Sequence, residues 1–178
     1  MDATLHRLAQ MFTGLLLALV TSGCTATEPT TEARDAAIYR EVLDALMVQA
    51  PIDISEPGSD DEPSLPILYV RSLDPSGIPL ETQVAMVAMD EAIYELRFID
   101  DMEEAIEIDL ENQPVREGGA LVGLGPIDAD ADAGVRGELY LERDNVVAYR
   151  FVLQGDDQTW TVDGDPVEVE PEGFVTNP

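Results

Sequence analysis

Three apolar segments in the last third of the chain, residues 135–143, 146–154 and 159–163, follow one another at hairpin spacing. No other feature constrains the fold as strongly. The joints are Asp144-Asn145 and Gly155-Asp156-Asp157, residue types that favour tight turns. Side chains alternate along a strand, so Tyr149, Phe151 and Leu153 share one face of the middle segment. Trp160 and Val162 join the same layer through cross-strand pairing. A three-stranded meander is therefore expected. From Pro166 the alternation stops, and 166–178 reads as a frayed acidic tail.

Upstream the periodicity changes. Ile38, Val42 and Leu46 recur at i+4 with Tyr39, Leu43 and Met47 beside them, which predicts a helix over 32–50. Thr31 or Asp35 caps its start and Pro51 stops it. Residues 51–66 are an acidic loop. Residues 67–73 (ILYVRSL) read as a strand closed by the turn Asp74-Pro75-Ser76-Gly77. A second helix is expected over 79–92, with Pro79 at its first position. Its apolar stripe is Leu80, Val84, Val87 and Ala88, widened by Met86 and Met89 as core filler. Residues 94–100 and 105–110 alternate as strands, although 102–107 also suits a helical turn, and 120–124 is a short apolar strand between glycines. Helix, strand, helix and then a run of strands predicts α+β. Two helices pack on one face of a mainly antiparallel sheet that ends in the meander. The closing stretch at 149–164, YRFVLQGDDQTWTVDG, resembles the last hairpin of NTF2-like and cystatin-like domains. That resemblance implies a fold and carries no function.

The apolar run at 11–20 is about half the ~20 residues that a membrane-crossing helix needs. Its length and its small-residue ending suit a signal peptide. The residues Val20-Thr21-Ser22-Gly23-Cys24 resemble the lipobox of bacterial lipoproteins. Thr21 stands where Leu or Val is commoner, and the segment before the run carries one Arg against one Asp. The resemblance implies cleavage between Gly23 and Cys24 and lipidation of the Cys24 sulfur. Residues 1–23 are then the signal peptide, 24–33 the lipidated cysteine and tether, 34–165 one α+β domain and 166–178 the tail. Such a protein sits at the cell membrane, lipid-anchored and facing the extracytoplasmic side. The alternatives are an ordinary secretory signal, or a short buried helix with an incidental cysteine.

Cys24 is the single cysteine and His6 the single histidine, and His6 lies in the segment to be removed. The mature chain thus lacks the groups for Ser-His-Asp or Cys-His catalysis and for an imidazole zinc site. The net charge is −28, and all nine cations are Arg. Nucleic acid is disfavoured as a partner because phosphates demand a basic footprint. So much acid suits a salt-rich or divalent-rich milieu, where the Debye length falls to ~3 Å at 1 M.

Four constellations bear on chemistry. Asp128, Asp130 and Asp132 alternate in a turn and are the candidate ligands for Ca²⁺, which takes six to eight oxygens. The EF-hand pattern fails, because Ala133 stands at position six and Leu139 at position twelve; a solvated loop is the competing account. Carboxylate pairs serve glycoside hydrolysis, yet with this many acids a close pair is uninformative. The glycines from Gly118 to Gly125 lack the Lys and Ser/Thr of a phosphate loop and read as a tight turn and close-packed strand edge. Arg71, Arg97, Arg136, Arg143 and Arg150 suit cross-strand ion pairs. The expected function is a membrane-tethered, non-enzymatic binding or assembly module of the cell envelope, partnered by the membrane through Cys24 and by an envelope protein. The rivals are a carboxylate-based hydrolase of envelope polymers and a calcium-stabilised structural domain. No catalytic or cofactor-binding residue is assigned.

Overall fold

The computed structural model describes residues 30–49, 65–89, 93–128, 133–156 and 159–174. Helix α1 (Thr31–Gln49) is followed by strand β1 (Ile67–Ser72), helix α2 (Leu80–Val87) and strand β2 (Glu95–Phe98). Two 3-10 turns, Met102–Glu104 and Arg116–Gly118, lead to β3 (Ala120–Leu124) and β4 (Ala133–Glu142). Strands β5 (Asn145–Gly155), β6 (Trp160–Val162) and β7 (Val167–Val169) complete the chain. The architecture is α+β, two helices with one mixed sheet that curls into a half-barrel.

Strand order is β2-β1-β3-β4-β5-β6, and β7 also pairs with β5. β6 lies along residues 153–155 of β5 and β7 along 148–150, so the two share the outer edge of the long strand. β1 runs parallel to both β2 and β3, while every pairing from β3 onward is antiparallel. The parallel part departs from the mainly antiparallel expectation. Parallel pairing needs long crossovers: α2 lies in the one from β1 to its neighbour β2, and residues 99–119 carry the chain from β2 past β1 to β3.

Helix α1 starts one residue earlier than expected, where the Thr30 hydroxyl oxygen accepts the Ala33 N–H at 3.3 Å. Its stripe of Ile38, Tyr39, Val42, Leu43 and Leu46 is buried against the sheet. Helix α2 presents a different face from the expected one. Thr82 and Met86 point inward, whereas Leu80, Val84 and Val87 are 67%, 60% and 59% exposed. The flanks set this rotation. Ile78 before the helix and Tyr94 after it are both buried, the Tyr94 hydroxyl donates to Asp44 on α1, and the Arg40 guanidinium lies 4.9 Å from the Tyr94 ring. With both ends pinned, two turns of helix have no freedom to roll their apolar stripe inward. The helix ends at Val87, and the expected end at Ala92 lies outside the described residues.

The sheet has apolar side chains on both faces. Leu68 and Val70 of β1 join α1 and Met86 of α2 in the larger core, and Tyr69 points the other way, into a second cluster with Ala105, Ile106, Val115, Leu121, Tyr140 and Phe174. Residues 105–110 are not a strand. Ile106 makes a single bridge to Val115, and Ile108 and Leu110 are exposed. The helical turn at Met102–Glu104 forms instead, with the Glu104 carboxylate accepting the Asp101 N–H at 3.2 Å.

The segment after Pro166 does not fray over its described length. Beyond β7 the chain crosses β4, where Glu138 is fully buried and ion-pairs with Arg136 at 2.7 Å. The Glu138 carboxylate also accepts the N–H groups of Glu172 and Gly173 at 3.0 and 2.9 Å, and Arg136 donates to the Glu170 carbonyl. Phe174 then enters the second cluster, edge-on to Tyr140 at 5.8 Å between centroids. Burying a side chain of this kind contributes about 1.5–3 kcal/mol. Among the described residues no helix is long and apolar enough to cross a membrane.

Candidate functional site

Because β1 and β2 run parallel, both carry their carboxyl ends to the same edge of the sheet. The chain leaves β1 toward α2, on the larger-core face, and leaves β2 toward residues 102–115, on the face of the second cluster. Two adjacent parallel strands whose outgoing connections diverge to opposite faces leave a crevice between them, the usual ligand position in open sheets of this kind. Here that crevice has a volume of about 430 Å³.

Buried apolar side chains back it, and the surface it exposes is mainly polar. Val70 closes it from β1, Phe98 and Ile99 from β2, and Ile78 from the approach to α2. The Ile99 N–H donates to the Val70 carbonyl at 3.0 Å, extending the parallel ladder to the lip. The rim is polar, with Ser72, Ser76 and Gln83 on one side and Asp100 and Glu104 on the other.

Local turn chemistry holds the serine side in place. The Asp74 carboxylate accepts both the Ser76 N–H at 2.7 Å and the Ser76 hydroxyl at 2.6 Å. The Ser76 hydroxyl and N–H together hold the Asp74 carboxyl below the usual carboxylate range. The Gly77 N–H donates to the Asp74 carbonyl at 3.0 Å, and Gly77 itself sits at φ +77°, a conformation a side chain would strain. The Ser72 hydroxyl donates to the Asp74 carbonyl and accepts the Asp74 N–H. Gln83 reaches back from α2 to donate its amide N–H to the Ile78 carbonyl at 2.8 Å. Opposite, Glu104 is tied only through the Asp101 N–H, and Asp100 is exposed with no partner among the described residues.

The residues singled out from sequence lie elsewhere. Asp128 pairs with Gly134 through its backbone, and its carboxylate accepts an Arg150 N–H at 2.6 Å. One of the three expected calcium ligands is therefore engaged by a cation, and Asp130 and Asp132 lie outside the described residues. Among the described residues no three of His, Cys, Asp and Glu are grouped to hold a metal. Cys24, its signal peptide and its tether are likewise outside them.

The ion pairs of the expected Arg set run along strands or to turns instead of across strands. Arg97 bridges Glu95 and Glu117, Arg136 takes Glu138, and Arg150 takes Asp128. Arg136 and Arg150 are themselves cross-strand neighbours, so each needs a partner of its own. Glycines 119, 123 and 125 do pack backbone closely: a Cβ on Gly119 would come within 2.6 Å of the Ile67 carbonyl oxygen.

The crevice residues Phe98, Asp100, Glu104 and Gln83 escaped the sequence reading. The signal was available in the strand, helix, strand order over 67–100, which is the spacing of a parallel crossover unit. Comparison with protein-family models, with curated proteins and with solved structures gives no match.

Proposed function

We propose that this chain is a lipid-anchored extracytoplasmic binding module, tethered through Cys24, whose binding site is the crevice at the carboxyl ends of β1 and β2. The crevice carries the reading. It is a concave recess of mainly polar lining, with Ser72, Ser76, Gln83, Asp100 and Glu104 around buried apolar side chains, and its volume falls within the ~300–1,000 Å³ range of small-ligand sites. The fold reading that accompanies it is two helices on one face of a sheet that is antiparallel from β3 onward and includes the β4–β5–β6 meander.

Binding is favoured over hydrolysis by the placement of the two acids. A carboxyl that donates a proton is built by apolar burial of one member of a pair. Asp100 and Glu104 are both exposed at the rim. The lipid anchor rests on the Val20–Cys24 pattern and on Cys24 being the single cysteine.

Two measurements test the two halves. Growth with an alkyne-labelled fatty acid should label the wild-type chain in the membrane fraction, and Cys24→Ser should lose both label and membrane association. A small-fragment library screened by saturation-transfer NMR on the acylated full chain in detergent should give ligands whose signals disappear with Ser76→Trp, which fills the rim. Fragments that bind equally to wild type and Ser76→Trp would remove the crevice from the proposal.

A further inference from the structure

The two ends of the sheet are finished differently. At one end β6 and β7 lie end to end along β5, interrupted between Val162 and Val167 by Gly164 at φ +73° and by Pro166. That edge also carries Asp163, Asp165 and Glu168. Breaks, prolines and like charges keep an edge strand from pairing with another chain. β2 closes the other end and has none of them. Among the described residues it pairs with β1 alone. Its two charges, Glu95 and Arg97, cancel, in a chain whose net charge is −28.

The bonds to β1 fix which groups stay free. Glu95 and Ile99 donate their N–H groups inward, to the Pro66 and Val70 carbonyls at 2.8 and 3.0 Å. Residues alternate along a strand, so the N–H and C=O groups of Leu96 and Phe98 point away from the sheet. None of these four groups has a partner among the described residues. Helix α1 covers β4, β5 and β6, which leaves α2 at the β2 end. Leu80, Val84 and Val87 form an exposed stripe on the side of α2 opposite Thr82 and Met86, and Ile93 before β2 is exposed as well.

We infer that β2 pairs antiparallel with β2 of a second copy of this chain, joining two sheets into one. Only outward-facing residues exchange the paired bonds of an antiparallel ladder, so Leu96 faces Leu96 or Phe98 of the second copy, or Phe98 faces Phe98. Charge chooses among the three. Leu96 against Phe98 sets Arg97 on Arg97, and Phe98 against Phe98 leaves Arg97 without an acid opposite. Leu96 against Leu96 puts Glu95 opposite Arg97 of the second copy, twice, and opposite charges in that position stabilise a sheet. The two-fold axis then stands normal to the sheet, so both α2 helices lie on one face and their stripes meet over the junction. Two four-residue strands alone fall well short of the ~800 Å² per partner of a stable interface, and these stripes supply the missing apolar area.

The test uses the full chain in detergent with Cys24→Ser, which leaves no other thiol. Leu96→Cys places a thiol on the two-fold axis, where hydrogen-bonded partners have Cα atoms about 5.5 Å apart, a disulfide distance. Mild oxidation should link it into a dimer at least tenfold faster than Phe98→Cys, whose thiols the register holds ~13 Å apart along the strand. Thr161→Cys, exposed on the opposite edge, should be as slow. With Leu96→Cys in place, Val84→Asp on the exposed stripe should slow the linking at least tenfold, and so should Arg97→Glu. Adding Glu95→Arg to Arg97→Glu should restore the rate. Without added thiols, sedimentation equilibrium should show a dimer that tightens severalfold as NaCl rises from about 50 to 500 mM, since screening relieves the repulsion between two acidic chains. A chain that sediments as a monomer at every concentration overturns the inference. A dimer in which Leu96→Cys links no faster than Thr161→Cys overturns it too, because the contact then lies elsewhere. Faster linking through Phe98→Cys, or no rescue by the charge swap, overturns the register centred on Leu96.

Discussion

The Glu138 carboxylate and the Gly173 N–H, 35 residues apart in the chain, meet at 2.9 Å beneath the C-terminal segment. Glu138 is fully buried, and its contacts to Glu172, Gly173 and Arg136 replace the water it has lost. An unpaired buried charge costs several kcal/mol, so each end of this arrangement depends on the other. Glu138→Ala should destabilise the fold by about 2–5 kcal/mol in urea unfolding, because it leaves the Glu172 and Gly173 N–H groups without an acceptor and Arg136 with only the Glu170 carbonyl and Glu172. Phe174→Ala should cost about 3–5 kcal/mol as well. The double variant should lose less than the two singles together by at least ~0.5 kcal/mol. Strict additivity would mean that Glu138 does not act through the segment carrying Phe174.

The inward face of α2 is set by Thr82 and Met86. Met86→Ala should therefore cost about 2–5 kcal/mol, the range for deleting a buried side chain. Leu80→Ser and Val84→Ser should each change stability by no more than about 0.5 kcal/mol, as exposed positions do. Thermal or urea unfolding of the three variants decides the matter. A large loss at Val84 with none at Met86 would restore the face that the apolar periodicity favours.

These two cases mark where the sequence was legible. Alternation in 146–154 places Phe151 and Leu153 in the core because a strand held on both edges has no freedom to rotate. The α1 stripe is readable for a similar reason: five turns of one apolar face outweigh any local anchor. Leu80, Val84 and Val87 mislead because α2 is only two turns long and its flanking residues Ile78 and Tyr94 fix its rotation. Phe174 is illegible because its pocket exists only where Gly123 and Gly173 leave room beside Leu73. Asp100 and Glu104 are unreadable as crevice residues because parallel pairing of β1 and β2, a tertiary fact, is what sets them opposite Ser72 and Ser76.

Tyr39 makes alkaline pH a probe of the α1–sheet contact. Its hydroxyl donates to the Gly125 carbonyl at 3.2 Å, and burial first, then the charges of Asp35 and Asp74, push its pKa up to about 12. The folded value lies above the unfolded value of about 10. The associated stability is therefore fully present below pH 10 and is lost as pH rises from 10 toward 12. Melting temperature should fall across that interval, and Tyr39→Phe should make the fall shallower. An unchanged slope would show that other phenols carry the alkaline transition.

The Arg97–Glu117 pair acts in the opposite range. Arg97 and Tyr69 hydrogen bonds hold the Glu117 carboxyl below its usual value of 4.5. Its stabilising share is present above that value and is lost as pH falls below it. Both side chains are solvent-exposed, so the share is small and sensitive to salt. Glu117→Gln should flatten part of the acid limb of the stability profile at low ionic strength and do little at 1 M NaCl. An equal effect at both salt concentrations would assign Glu117 a packing role under Tyr69 instead.

α1 packs closely on the sheet over Gly137. A Cβ there would come 2.7 Å from Leu46 Cδ1, 3.1 Å from Phe151 Cε2 and 3.2 Å from Val42 Cγ1. The first distance is too short for any real contact, so Gly137→Ala must push Leu46 or the helix outward. Overpacking of a filled core costs about 1–3 kcal/mol. Leu46→Val alone leaves a small void and also destabilises. Combined, the shortened side chain withdraws the atom nearest the new methyl, so the double variant should be more stable than the sum of the singles predicts, by about 0.5 kcal/mol or more. The measurement is a double-mutant cycle in urea at fixed salt. If the cycle closes with no coupling, the strain of the added methyl falls on Phe151 or Val42, and α1 is not seated by Leu46 over Gly137.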